Sequence, residues 1–184
     1  MIPKFREVLI QEDLDYGRCR DALKTLNELV HQPEIMDKMI DYDLLQIAAS
    51  LLKHQSWEVR TQAAILLSSF AISRRAREIF GYAFPMLQEL LEDPVLPVRE
   101  AVAMTFEKLS VNDDGCIRIV TSKCAECMIE SFIAHSKDAS CLKRDDGQYL
   151  IHLLEAFSNL TFSDQGIEPL LGKSAVATLN SIIS

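Results

Sequence analysis

The spacing in this chain best suited to chemistry is Cys124-Ala-Glu-Cys127, because two thiols one helical turn apart can share a metal ion or close a disulfide. Cys116, His135 and Cys141 lie near enough in sequence to complete a four-ligand set. A structural zinc site favours two tight ligand pairs on turns, whereas here one pair falls on an expected helix and the other candidates are widely spaced. A redox dithiol would need a strand-helix-strand setting that the sequence pattern does not offer. Cys19, Cys116, Cys124, Cys127 and Cys141 form an odd set scattered through helical segments. Reduced thiols packed as small hydrophobes are expected, with no cofactor, and the zinc set stays as the alternative.

His31, His54, His135 and His152 stand in no H-E-x-x-H arrangement and beside no nucleophile, and no Gly-rich turn could cradle a phosphate. A non-catalytic protein is the expectation. Arg74, Arg75 and Arg77 make the sharpest basic cluster; as a patch it would grip an acidic partner, but alternating arginines on a short helix read as a solvated face. Asn159-Leu160-Thr161 matches a glycosylation sequon at the end of an amphipathic helix and reads as structural. The net charge of -8 repels phosphate backbones and anionic lipid, so neither nucleic acid nor a membrane is an expected partner. Lys4 and Arg6 interrupt the start before any apolar stretch forms, and no apolar run approaches the roughly 20 residues that span a bilayer. A soluble, cytoplasmic chain is expected.

The elements that would carry such residues repeat. Leu51 to Ala71 aligns without a gap on Leu90 to Ser110 at an offset of 39 residues, placing Val59-Arg60 on Val98-Arg99, Ala64 on Ala103 and Phe70 on Leu109. A period near 40, with a helix rich in small residues after the Val-Arg pair, marks a helical solenoid, whose units are too thin to bury an apolar face alone. Ala22, Leu26 and Leu29 align on Ala63, Leu67 and Phe70 at an offset of 41, and Phe157 and Leu160 align on Phe106 and Leu109 at 51.

Pro33 suits the first turn of a short helix reaching Ile40, a second helix is expected from about Leu44 to His54, and Ser56 is a fitting N-cap for a third over Trp57 to Ala71. The next unit reads as Ala76 to Gly81, Pro85 to Leu91 and Leu96 to Ser110, and after it Asp113 or Asp114 would cap a helix running through Val120. Helices are also expected over Ala125 to Ala134, Gln148 to Thr161 and Ser174 to Ile183. Three helices per unit, the first one short, point to an all-α, armadillo-like right-handed α-solenoid of three-helix repeats. A single domain over 1–184 is expected, with an N-terminal cap at 1–16 and repeats near 17–31, 32–71, 72–110 and 111–161. An insertion at 136–147 would interrupt the last of these, and a partial repeat would follow at 162–184.

The stretch ALKTLNELVHQPEIMDKMI (Ala22 to Ile40), followed by LLKHQSWEVR and SRRAREIF, resembles the armadillo-repeat radial spoke protein family of motile cilia and flagella. The pattern that carries the resemblance is a Leu-rich helix, the junction His31-x-Pro33-Glu34, an apolar residue at Ile40, paired leucines and a Val-Arg. It spans roughly Arg18 to Phe132. The resemblance implies a non-enzymatic scaffold in the axonemal radial spoke, with other spoke subunits as partners and a cytoskeletal, ciliary location. A soluble adaptor for a peptide or signalling protein outside cilia stays open beside it.

Armadillo proteins that bind extended peptides line a concave groove with asparagines from successive third helices. The matching positions here read Glu28, Ser69, Lys108 and Asn159, so only one asparagine remains. Where such grooves place a Trp, this chain has Lys24, Ile65, Met104 and Glu155. A nuclear-import adaptor is therefore disfavoured. The inner third helices are expected to present Lys24, Glu28, Gln62, Ser69, Met104, Lys108, Glu155 and Asn159 to a partner.

Overall fold

The computed structural model describes residues 1–11, 15–136 and 147–163. Among the described residues it is helical throughout, without strands. A short α1 (Ile2–Leu9) precedes the long α2 (Tyr16–Leu29), and three helix groups follow. These are α3 (Pro33–Asp41), α4 (Leu44–Leu51) and α5 (Trp57–Phe70); α6 (Arg74–Glu78), α7 (Phe84–Leu90) and α8 (Leu96–Ser110); and α9 (Asp113–Thr121), α10 (Cys124–Ser136) and α11 (Gly147–Thr161). Cys141, most of the 136–147 insertion and the helix expected over Ser174 to Ile183 lie outside the described residues.

The long helices α2, α5, α8 and α11 pack side by side in chain order, and the shorter helices cover them from behind. The small residues of the sequence alignment sit at these crossings. Ala64 and Ala103 are both fully buried, and the Thr105 hydroxyl lies between two carbonyls, that of Ala101 in its own helix at 2.8 Å and that of Ala64 across on α5 at 3.1 Å. One apolar core runs from Ile2 and Leu9 on α1 to Leu160 on α11, so each layer buries its apolar face on the next, as a solenoid requires.

Turn chemistry ends each element. Pro33 opens α3 and Pro97 sits in the first turn of α8, where a missing N–H costs nothing. Asp43 and Lys123 adopt left-handed backbone, φ 59° and 61°, at the matching α3–α4 and α9–α10 corners. In the middle group that corner is instead a 3₁₀ turn over Phe80–Tyr82, so the helix expected to reach Gly81 stops at Glu78. Gly115 lies against the end of α8, where a Cβ would stand 1.8 Å from the Leu109 carbonyl oxygen.

Two expected caps work differently. Ser56 does precede α5 with extended backbone, but its hydroxyl donates to the Glu58 carboxylate at 2.5 Å and leaves the helix N–H groups alone. Asn112, rather than either aspartate, occupies the N-cap position of α9. Asp114 turns instead to Arg77.

Arginines join the layers. Arg60 donates from Nη1 to the carbonyls of His54 and Gln55, both at 2.9 Å, while Nε and Nη2 fork onto the buried Asp93 at 2.8 and 3.1 Å. Arg99, the aligned residue, donates to the Asp93 carbonyl at 2.8 Å, which is the position equivalent to His54. Its guanidinium then lies over the Tyr149 ring, 5.6 Å from the centroid. The basic cluster does not stay together as a solvated face. Arg74 is exposed and Arg75 pairs with Asp37 and Asp41, but Arg77 is only 4% exposed. Arg77 donates to the carbonyls of Ala71 and Ile72 at 3.0 and 2.8 Å, closing the C-terminal end of α5. Its position 39 residues on is Cys116, whose thiol donates to the Ser110 carbonyl at 3.0 Å and closes α8 in the same way.

Candidate functional site: the face of the long helices

The face formed by α2, α5, α8 and α11 carries the eight expected recognition residues, but not as eight free groups. Lys24, Glu28 and Glu155 are exposed. Gln62 is half-buried and receives Asn27 Nδ2 at both its side-chain and main-chain oxygens, each at 3.1 Å, so it ties α2 to α5. Ser69 is 8% exposed and donates to the Ile65 carbonyl one turn back in its own helix, so its hydroxyl is not free for a partner. Asn159 donates to Ser110 Oγ at 3.1 Å and joins α11 to α8. Lys108 is half-buried with Nζ 2.5 Å from Glu107 Oε1.

The Lys108 pair belongs to a larger cluster. Glu107 is 8% exposed, and His152 Nδ1 donates to its other oxygen at 2.5 Å. Gln148, one turn earlier on α11, places its Nε2 3.3 Å from His152 Nε2. Burial works against the Glu107 charge, but the hydrogen bonds and charges of Lys108 and His152 outweigh it and hold the carboxyl below the usual range. With Glu155, these residues bring ligand-type atoms within 4.8 Å of one another. Both Glu107 oxygens are already engaged, so the trio reads as a hydrogen-bonded charge cluster joining α8 to α11.

Among the described residues the cysteines form no group with ligand spacing. Cys116 is spent on the end of α8. Cys124 is fully buried beside the Ser122 hydroxyl, and burial pushes its thiol up to about 12. Cys127 is half-buried, its thiol also raised by burial. Raised thiols are poor nucleophiles and poor metal ligands at neutral pH. His135 packs edge-on to Tyr149 near Glu92. Ser131 bonds Tyr149, Glu92 and the Leu91 carbonyl in a buried network that fastens α10 and α11 behind α7.

The sequence reading missed a hollow of about 230 Å³ between α5, α8 and α11. Thr61, Ile65, Pro97, Glu100, Ala101, Met104, Gln148 and His152 line it. Ile65 and Met104 occupy two of the tryptophan positions of peptide-binding grooves, which was the available signal; Pro97, Ala101 and His152 are one turn away and required the packed helices to appear.

Residues 37–115 match the model of the PPP2R1A-like HEAT repeat family. Among solved structures, a designed armadillo repeat protein, YIII(Dq)4CqI, superposes with a TM-score of 0.82 at 17% identity, covering 100% of this chain and 75% of that one. Another, YIII(Dq.V1)4CPAF in complex with peptide (KR)4, gives 0.81 at 18% identity, covering 98% and 73%. A computationally designed armadillo repeat protein for modular peptide recognition gives 0.80 at 16%, covering 98% and 74%. No curated protein matched the chain. The described helices and these likenesses make the fold that of an armadillo/HEAT-type repeat solenoid.

Proposed function

We propose that this protein is a non-catalytic scaffold that assembles other proteins along the face of α2, α5, α8 and α11. The observation that carries the reading is the make-up of that face: α2 and α11 present exposed Lys24, Glu28 and Glu155, and a hollow between α5, α8 and α11 is lined in part by Ile65 and Met104. With Glu28, Ser69, Lys108 and Asn159 at the ladder positions, a backbone cannot be gripped at regular intervals. Recognition therefore rests on side chains and favours a folded or helical partner, with rim charges tuning encounter. The division into a cap at 1–16, repeats at 17–31, 32–71, 72–110 and 111–161 and a partial repeat at 162–184 belongs to the same proposal.

The setting we infer is the radial spoke of the ciliary axoneme, on the strength of the His31-x-Pro33-Glu34 junction and the helices around it. The test is a tagged chain expressed in ciliated cells. Retention in demembranated axonemes and release together with spoke subunits at high salt is the expected result, and a chain lost entirely with the detergent-soluble fraction refutes the ciliary setting. A second reading, a soluble adaptor outside cilia, is favoured by the likeness to a fold that holds a bound peptide in one solved case. Co-purification of the chain with partners from non-ciliated cells would support it.

A further inference from the structure

The hollow between α5, α8 and α11 is too small for a typical small-molecule site, since those run to about 300–1,000 Å³, but its volume of about 230 Å³ suits one large side chain. Ile65, Pro97, Ala101 and Met104 supply its apolar lining. Polar groups gather towards α11, where His152 and Gln148 line the hollow and the exposed Glu155 stands within 4.8 Å of the His152 ligand-type atom. Glu100 contributes a second carboxylate to the lining. Lys108, also on α8, is paired with the buried Glu107. The chain as a whole carries a net charge of -8.

On these grounds we propose that the hollow is an anchor point for a single aliphatic side chain of a partner helix, flanked on that helix by lysines or arginines. This rests on the scaffold reading above and narrows it. The aliphatic group would displace water from Ile65, Ala101 and Met104, and apolar anchors seated in a pocket dominate interface energetics. Basic flanks would face the exposed Glu155 carboxylate, which steers the encounter and sets orientation. Because the half-buried Lys108 is already paired with Glu107, it opposes a cationic partner less than a free charge would.

The test uses the full chain and three fluorescein-labelled, alanine-based helical peptides read by fluorescence anisotropy. One carries lysines around a central leucine, one has alanine in place of that leucine, and one has glutamates in place of the lysines. The leucine peptide is expected to bind about tenfold more tightly than the alanine peptide, and the glutamate peptide to bind weakest. Met104→Ala should remove most of the leucine preference, whereas Glu155→Lys should weaken both lysine peptides alike; circular dichroism confirms that each variant folds. Equal binding of the leucine and alanine peptides, with both weakened by Glu155→Lys, overturns the anchor while leaving the face as the recognition surface. Binding that ignores both substitutions places the peptide elsewhere and overturns the anchor together with the face. Absence of binding by all three peptides overturns the anchor, and the scaffold reading then stands or falls on the axoneme experiment.

Discussion

Arg60 reaches from the start of α5 to Asp93, in the turn between α7 and α8 of the next layer, and holds both its carboxylate oxygens, Nε to Oδ2 at 2.8 Å and Nη2 to Oδ1 at 3.1 Å. Both side chains are largely shielded, and Asp93 Oδ1 also accepts the Val95 N–H at 2.9 Å. Removing one member leaves the other buried without its counter-charge, which costs about 3–5 kcal/mol. Arg60→Ala should therefore destabilise the protein by that order in urea unfolding, and Arg60→Lys should recover only part because an ammonium cannot reproduce the fork. A loss below about 1 kcal/mol for Arg60→Ala, the range of exposed pairs, would mean the pair is solvated.

Ala64 and Ala103 are fully buried where successive long helices cross. Ala64→Leu or Ala103→Leu should each cost about 1–3 kcal/mol by overpacking. Leu154 aligns with Ala103 at the 51-residue offset and is 43% exposed on α11. Leu154→Ala should accordingly change the unfolding free energy by less than about 0.5 kcal/mol. Equal losses at all three positions would break the proposed register.

Gly115→Ala places a methyl group against a backbone carbonyl that has no rotamer to escape into. We expect a loss of about 1–3 kcal/mol, measured by thermal melting, and weaker protection of the α8 C-terminal amides in hydrogen exchange. Wild-type stability in the variant would show that α9 can shift away from α8 at no cost.

Much of the fold was legible in the sequence because helical period and small-residue spacing are local. The 39-residue alignment anticipated the matching carbonyl bonds of Arg60 and Arg99, and Pro33 and Pro97 marked helix starts. The site was less legible. Arg77 reads as a surface charge until Asp114, 37 residues on, is brought to it. Ser69 lies on the ladder by alignment but turns inward, and Lys108 is occupied by a glutamate that only packing buries. Such assignments depend on which side of a helix its neighbour covers, and no single helix records that.

Acid should loosen the α8–α11 junction. The folded Glu107 carboxyl is held below its usual range, so its contribution is present above the unfolded carboxylate value near pH ~4.3 and is lost as pH falls through the lower folded value. Lys108→Ala removes one of the interactions that lower it. In melts recorded from neutral pH downwards, the variant should therefore lose less stability through this group than wild type does, and the loss should be complete at a higher pH. Parallel acid limbs for the two proteins would show that the junction does not depend on this charge.

The central claim is that partners dock on the face of α2, α5, α8 and α11. Lys108 is unsuitable as a probe because it neutralises Glu107, so the informative variant reverses Lys24, Glu28 and Glu155, all exposed. A control reverses Glu34 and Lys38, which are exposed on α3. The measurement is quantitative recovery of partners from axonemal extract by wild type and both variants, each shown by circular dichroism to be folded. The account predicts strong loss for the triple variant and wild-type recovery for the control. Undiminished recovery by the folded triple variant, or loss confined to the α3 control, would contradict it.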